Sequence, residues 1–299
     1  MFITVLLVYG IKESANSNNA MVVLKLGIML CFIAVGLTLL KPDNWTNPAT
    51  GGFAPNGLSG IGAGAAIIFF SYIGFDAVST PAEEAKDPGK DMPFGIIMSL
   101  LICTVLYIAL SAVMTGIAPW QTLGTAEPMI TALTFADGPP RLLSASRFII
   151  SLGAVIAMFS VLLVFQLGQP RIFMSMSRDG LLPPFLSKVH PKFKTPYVGT
   201  ILTGIFVGVF AAFANIAEVV DLTNIGTLFA FVLVSLGVIV LRYKEPERVR
   251  PFRVPFVPWT PMISIVACLY LMFKLPTVTW ERFGIWLLVG LVIYFLYGV

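Results

Sequence analysis

Residues 57–80 read GLSGIGAGAAIIFFSYIGFDAVST, a run long enough to cross the hydrocarbon core of a bilayer as a helix. Its middle is unusual, because a hydroxyl, a phenol, a glycine and a carboxylate follow closely at Ser71, Tyr72, Gly74 and Asp76. Glycine weakens a helix, and an ionisable group at membrane depth is costly. The stretch therefore predicts a membrane helix that is interrupted near Gly74.

An interruption inside the bilayer frees backbone donors and acceptors, which are tolerated only where protein or a water-filled cavity satisfies them. Membrane proteins that move solutes use such interruptions to build a binding site near the midplane. The alternative is a continuous helix with a packing glycine, in which Asp76 already lies among the lipid headgroups. We favour the interruption because the polar groups are concentrated around Gly74.

The segment after the interruption has the form of a helix start. Thr80 can cap a helix, Pro81 suits the first turn, and Glu83 can reach back to the cap. The charged residues that follow, 84–91, are expected to be solvated in a loop.

The whole chain has the composition of an integral membrane protein. Of its 299 residues, 57% are hydrophobic and 11% are charged, and the mean hydropathy is +0.90, which differs strongly from a soluble domain. Runs near the ~20 residues needed to cross hydrocarbon fall at 20–40, 58–78, 94–117, 147–168, 197–215, 224–241, 257–273 and 283–298. A further run, 1–10, is too short to span and reads as the tail of a helix whose beginning is missing. We expect an all-α polytopic membrane protein with eight full transmembrane helices plus this N-terminal stub.

One cation interrupts the run AMVVLKLGIMLCFIAVGLTLL, residues 20–40. A lysine near the bilayer centre costs roughly 2.5–3.5 kcal/mol on insertion scales and is by default a functional-site hypothesis. Lys25 lies only five residues into the run, however, so its four-carbon stem could also snorkel to the interface. Both interpretations of Lys25 stay open at this point.

The basic residues predict the orientation of the chain. When alternate loops are assigned to the two sides of the membrane, thirteen Lys and Arg fall on one side and five on the other. The first side holds Lys12, Lys86, Lys90, Arg171, Arg178, Lys188, Lys192, Lys194, Arg242, Lys244, Arg248, Arg250 and Arg253, and the second holds Lys41, Arg141, Arg147, Lys274 and Arg282. The positive-inside rule places the first side in the cytoplasm, and with it the C-terminus.

Several other functions are disfavoured by the residues. The basic loops 171–194 and 242–253 could contact nucleic acid, but clusters beside a membrane are expected for orientation and lipid headgroup contact alone. His190 is the only histidine, and no paired carboxylates or nucleophile motif support a membrane enzyme. The cysteines at 31, 103 and 268 have the spacing of neither a disulfide framework nor a metal site. We therefore expect a bilayer partner, no nucleic acid, no enzyme and no cofactor.

Four segments together resemble the amino acid–polyamine–organocation (APC) superfamily of permeases, within it the cationic amino acid transporter-like branch. They are FFSYIGFDAVSTPAEEAKDPGKDMPFGI (69–96), LGQPRIFMSMSRDGLLPPFLSKVHPKFKTPYV (167–198), IGTLFAFVLVSLGVIVLRY (225–243) and FRVPFVPW (252–259). They occur in the family's order and cover essentially the whole chain.

The resemblance implies the five-plus-five inverted-repeat transporter fold with two extra helices. It predicts a single transmembrane transporter domain over 1–299, in which 1–10 ends helix 4 and 20–40 is helix 5. Residues 58–241 then form helices 6 to 10, and 257–298 form helices 11 and 12. Helices 1 to 3 and most of helix 4, including the glycine break that grips the substrate carboxylate in this family, are expected to be missing, so that the chain alone would not transport.

The resemblance also implies roles for particular residues. The broken middle of the family's helix 6 lines the substrate and corresponds here to Phe70, Ser71, Tyr72, Ile73, Gly74 and Phe75. Met158 corresponds to a position facing the substrate side chain, although simple packing is the alternative, and Asp76 is a candidate for gating. Lys25 matches a lysine that stands where sodium-coupled relatives bind their ion, which implies proton coupling. Lysines removed from water release their proton more readily, because desolvation disfavours the charged form.

The expected function is secondary active transport of amino acids across the plasma membrane, by proton symport and alternating access. The alternative is a non-transporting membrane protein, such as a scaffold or a degenerate paralogue. The branch includes carriers of cationic and of neutral amino acids. The apolar Met158 and the scarcity of acidic residues in the spans favour neutral side chains.

Overall fold

The computed structural model describes residues 2–9, 12–46, 52–76, 87–193 and 195–297. Its helices are α1 Phe2–Tyr9, α2 Lys12–Leu37, α3 Asp43–Thr46, α4 Gly57–Ile68, α5 Pro88–Ile117, α6 Pro128–Thr134, α7 Pro140–Arg178, α8 Tyr197–Phe213, α9 Ile216–Lys244, α10 Trp259–Phe273 and α11 Thr277–Tyr297. Short 3₁₀ turns occupy Phe69–Tyr72, Trp120–Thr122 and Pro184–Ser187. These ranges contain no β-strand.

The helices confirm the predicted all-α polytopic architecture. Over the described ranges, the segments long and apolar enough to cross a membrane are Asn18–Leu37, Pro88–Ile117, Pro140–Arg178, Ile216–Lys244 and Thr277–Leu296. Three shorter apolar helices lie at Gly57–Tyr72, Tyr197–Phe213 and Trp259–Phe273. Each of the eight runs predicted from hydropathy therefore contains an apolar helix.

The boundaries of α2 differ from the predicted run, 20–40. The helix begins at Lys12, in the polar sequence KESANSNN, because extending an existing helix costs far less than starting one. It ends at Leu37, after which the Leu39 amide donates to the Gly36 carbonyl at 3.0 Å. The Lys41 amide then donates to the Gly116 carbonyl at the end of α5, at 2.9 Å, which turns the chain away from the helix axis.

The start of α9 also differs, since the helix begins at Ile216 rather than at residue 224. The side chain of Asn215 accepts a hydrogen bond of 3.1 Å from the Ala217 amide, as an N-cap residue does. Glu218 occupies the first turn, where a carboxylate is favoured by the helix dipole. Its Oε1 accepts from Arg282 of α11 at 3.1 Å.

The chain divides into two compact units. Unit 1 comprises Met1–Asn56, Leu101–Met174 and Leu186–Ile205. Its core is a cluster of buried apolar side chains that includes Phe32, Leu39, Val113, Ile117, Leu133 and Ile150. Because these residues come from α2, α5, α6 and α7, the core joins the N-terminal helices of the chain to the first half of α7.

Small residues let helices approach closely within unit 1. A Cβ at Gly204 of α8 would fall on the Thr4 hydroxyl of α1 and 2.7 Å from Nε2 of Gln166 of α7. Gln166 Nε2 in turn donates to the Thr4 hydroxyl at 2.5 Å. The glycine of α8 therefore leaves room for a hydrogen bond between α1 and α7, and small residues of this kind are common where membrane helices pack closely.

Unit 2 comprises Gly57–Leu100, Ser175–Phe185 and Phe206–Val299. Its core consists of Ala66, Ile225, Leu228, Cys268, Met272 and Leu275, with Phe69, Phe231 and Phe283 among the side chains packed against it. These residues come from α4, α9, α10 and the segment that follows α10. The core thus packs α4, which leads into the predicted interruption, directly against α9.

Candidate functional site

The structure shows that α4 loses its regular turns where the interruption was predicted. The regular turns of α4 end at Ile68, and a single 3₁₀ turn, Phe69–Tyr72, follows. Ile73 is then extended, with φ −61° and ψ 134°, and Gly74 has φ +122°. Only glycine reaches this region of φ without strain, which explains the residue at position 74.

Local hydrogen bonds satisfy part of the freed backbone. The Ile73 amide donates to the Phe70 carbonyl at 3.1 Å, and the Gly74 amide donates to Oδ1 of Asp76 at 3.1 Å. Asp76 therefore acts on the interruption itself, by accepting a hydrogen bond from the backbone at the glycine. The helix start predicted at 80–83 lies outside the described residues.

The residues predicted to line the substrate form one contiguous turn of irregular backbone. Phe70 is 41% exposed and Ser71 is exposed, whereas Tyr72, Ile73, Gly74 and Phe75 are half-buried. The turn thus presents an aromatic ring, a hydroxyl and main-chain polar groups together. This combination suits a ligand that carries both charged ends and an apolar side chain. Their role in binding remains a prediction.

Two residues of α9 contact this turn or the end of the helix before it, and sequence reasoning did not single them out. Nδ2 of Asn224 donates to the Ala66 carbonyl in the last turn of α4 at 3.1 Å. The ring of Phe231 lies 6.2 Å from that of Phe69 and 5.4 Å from that of Phe75. The available signal was an amide side chain, Asn224, at the start of an otherwise apolar run.

Lys25 lies on the face of α2 that packs against α7. Asn18, Lys25 and Phe32 are spaced by seven residues and so share one side of the helix. Asn18 accepts a hydrogen bond from Ser160 of α7 at 2.7 Å, and Phe32 is buried in the core. Lys25 itself is half-buried. Lys25 therefore lies on the same side of α2 as these two residues, and its functional role remains a prediction.

Met158 lies on a different side of α7 from the one that contacts α2. Gly153 and Ser160 of α7 both face α2, since a Cβ at Gly153 would come within 2.6 Å of Ile28. Met158 is two residues from Ser160, about 200° around the helix, and is 67% exposed. The structure therefore does not bring Met158 to Lys25, although both belong to unit 1, whereas residues 70–76 belong to unit 2.

The described side chains offer little to a metal ion. Over these ranges, no group of three or more His, Cys, Asp or Glu lies close enough to hold one. The cysteines at 31, 103 and 268 are free thiols. The described residues 69–76 bring together backbone polar groups, hydroxyls, aromatic rings and the carboxylate of Asp76.

Comparison with known proteins shows the family. The family described as amino acid permease matches residues 1–296. The chain is 49% identical over 299 residues to the branched-chain amino acid permease BcaP and 48% identical over 298 residues to the methylthioribose transporter, both of Bacillus subtilis. It is also 40% identical over 250 residues to the vacuolar cationic amino acid transporter 4 of Arabidopsis thaliana.

The alignments differ in how much of each relative they cover. Both bacterial alignments include 100% of this chain and 62% of the relative, and the plant alignment includes 83% of this chain and 41% of the relative. The chain thus spans about three fifths of the length of the bacterial proteins that it matches. The match over almost all of its own residues, together with the apolar helices, shows that this multi-pass membrane protein belongs to the amino acid permease family.

Proposed function

We propose that the protein to which this chain belongs carries amino acids across the cell membrane as a secondary transporter that works by alternating access. The observation that carries the proposal is the interruption after Tyr72, where Ile73 is extended and Gly74 has φ +122°. Irregular backbone at membrane depth persists only where it is buried or lines a cavity. Interrupted helices build the substrate site of many transporters, and the amino acid permease family supplies the substrate class.

The side chains at the interruption favour a neutral amino acid as substrate. Phe70, Ile73 and Phe75 are apolar, and the carboxylate of Asp76 already accepts the Gly74 amide. A cationic side chain at membrane depth requires a counter-charge, which Phe70, Ile73 and Phe75 do not supply, and the Asp76 carboxylate is turned toward the Gly74 amide. The relative named for branched-chain amino acids fits this chemistry better than the relative named for cationic ones.

Lys25 is proposed to couple transport to protons. It is half-buried in an apolar helix, on the same face as Asn18, which is hydrogen-bonded to Ser160, and as the buried Phe32. A lysine there is either a fixed positive charge or a group that gains and loses a proton during the cycle.

The excess of basic residues on one set of loops further supports a cytoplasmic C-terminus.

A non-transporting scaffold and a membrane enzyme are the competing functions. A scaffold needs no irregular backbone inside a span, and among the described residues no cluster of metal ligands supports catalysis. Transport therefore accounts for the geometry at Gly74 better than either alternative.

Uptake by the purified full-length gene product in liposomes tests the proposal. Radiolabelled leucine is offered with and without an inward proton gradient, and unlabelled leucine, lysine and methylthioribose are used as competitors. We expect saturable, gradient-stimulated leucine uptake that leucine inhibits and lysine does not. Absence of saturable leucine uptake in a folded preparation would contradict the proposal, and inhibition by methylthioribose at lower concentration than by unlabelled leucine would reassign the preferred substrate. Empty liposomes provide the background.

A further inference from the structure

The carbonyl of Ala66 lies at the point where the regular hydrogen bonding of α4 ends. Ala66 is one of the last four residues of this helix, Gly57–Ile68, and the carbonyls of the last turn lack the usual donor four residues on. Nδ2 of Asn224 supplies a donor from α9, at 3.1 Å. Ala66 is buried in the core of unit 2, where water is excluded. The hydrogen bond therefore ends α4 at a defined residue, just before the 3₁₀ turn Phe69–Tyr72.

Asn224 is kept in this position despite an unfavourable free energy of burial. The residue is 0% exposed, and its Oδ1 finds no hydrogen-bond partner among the residues that the structure describes. A buried polar atom left unpaired is destabilising, a penalty that an apolar side chain would avoid only by leaving the Ala66 carbonyl without its donor. An unpaired buried amide calls for an explanation, and the donor that it offers to Ala66 supplies one.

Phe231 contacts the irregular turn on both sides of the extended residue. Its ring lies 6.2 Å from that of Phe69, edge to face, and 5.4 Å from that of Phe75. Phe69 precedes Ile73 and Phe75 follows Gly74. The ring of Phe231 therefore contacts the chain both before and after the extended residue, where the chain changes direction. Aromatic pairs in these geometries stabilise their arrangement beyond simple burial.

One side of α9 makes all of these contacts. Asn224, Leu228 and Phe231 are spaced by four and three residues and so share one side of the helix, and Leu228 is 0% exposed in the same core as Ala66. From this arrangement we infer that Asn224 and Phe231 are positioning residues, which fix the turn at 69–75 and thereby set the affinity for substrate. The inference rests on the proposed transport function, because only then does the turn bind a substrate.

Two pairs of variants of the full-length protein separate positioning from general stability. Asn224→Leu removes the donor to Ala66, and its control, Ser235→Ala, removes a hydrogen bond from α9 to Ser264 of α10 at 3.1 Å. Phe231→Leu removes the ring between Phe69 and Phe75. Its control, Phe229→Leu, removes a ring that packs against Phe283 at 5.1 Å. Each control alters the same helix without contacting the turn.

Amide hydrogen exchange over residues 66–76 and uptake kinetics are measured for all four variants. We expect exchange at Ile73 and Gly74 about tenfold faster in Asn224→Leu and Phe231→Leu, which corresponds to a loss of local stability of about 1.4 kcal/mol, because each variant loses a hydrogen bond or a ring contact. We expect KM to rise by a similar factor in these two variants, with the maximal rate per folded protein unchanged. Both controls should retain wild-type exchange in this peptide and wild-type KM.

The outcomes distinguish the inference from the function on which it rests. Exchange over 66–76 that matches the controls overturns the positioning role, as does a lower yield with unchanged KM. If Asn224→Leu does not fold, the Phe231→Leu and Phe229→Leu pair decides the same question. If the wild-type protein shows no saturable uptake, the transport proposal fails, and the inferred link to substrate affinity fails with it. Hydrogen exchange in the same preparation then still shows whether α9 holds the turn.

Discussion

The hydroxyl of Ser160 on α7 donates a hydrogen bond of 2.7 Å to Oδ1 of Asn18 on α2. Asn18 is seven residues before Lys25, so this contact establishes which side of α2 faces α7 and places Lys25 on that side. A lysine that only snorkels would be equally stable on the lipid-facing side. The role of Lys25 on this side of α2 remains a prediction.

Lys25→Ala in the full-length protein should abolish uptake or its pH dependence while leaving the thermal unfolding midpoint unchanged. The reason is that the ammonium would be the group that couples protons to transport. Uptake into liposomes over a series of external pH values measures the effect. Lys41→Ala is the control, since Lys41 is exposed and pairs with Asp137, an arrangement that contributes about 0–1 kcal/mol. A wild-type pH profile in Lys25→Ala would establish the snorkelling alternative.

Gly74→Ala should weaken substrate binding. Alanine at φ +122° is strained by about 1–3 kcal/mol, and the turn relaxes by moving Ile73 and the Gly74 amide away from Asp76. We expect a KM about tenfold higher, in line with about 1.4 kcal/mol. Gly237→Ala on α9 is the control, because no described atom lies within 4 Å of its new Cβ. Equal KM values for the two variants would show that the conformation at 74 is unimportant for binding.

Gly204→Ala should destabilise the fold, and Gly208→Ala, one turn further along α8, should not. A Cβ at Gly204 meets the Thr4 hydroxyl and Gln166 Nε2, whereas at Gly208 it meets no described atom within 4 Å. Overpacking of this kind costs about 1–3 kcal/mol. Thermal unfolding in detergent measures the difference between the two variants. Identical unfolding midpoints would mean that α8 can move away from α1 and α7 at Gly204 with little cost in free energy.

Arg147→Met should destabilise the segment between α5 and α7. Nη2 of Arg147 donates to the Leu133 carbonyl at 2.7 Å, close to the end of α6, where a positive charge is also favoured by the helix dipole. Removal of a charged donor to a buried backbone group costs about 1–3 kcal/mol. The unfolding midpoint should fall in Arg147→Met and stay constant in Arg141→Met, because Arg141 is exposed. An unfolding midpoint that falls more in Arg141→Met than in Arg147→Met would refute this role of Arg147.

Much of the fold and part of the site could be predicted from residue patterns. Long apolar runs predicted every transmembrane helix, because the free energy of placing apolar side chains in lipid depends mainly on composition. The interruption at Gly74 was predictable since glycine and a carboxylate stand together in an apolar run. The early starts of α2 and α9 were not predicted, because helix ends depend on local caps such as Asn215 and on the low cost of extending a helix.

The sequence by itself determined that this is a multi-pass membrane protein of apolar helices, that the helix beginning at Gly57 loses its regularity near Gly74, and that Lys25 lies in an apolar run. It did so because hydropathy, charge and glycine content act locally along the chain. Only the tertiary structure decided that Asn224 and Phe231 of α9 contact the end of α4 and the turn after it. It also decided that Lys25 of α2 lies on the side facing α7, and that Met158 of α7 lies away from the side facing α2. Those relationships depend on which helices pack together and on how each helix is rotated about its own axis. The hydrophobicity of a helix can be read from its own sequence, but the helix that it packs against cannot.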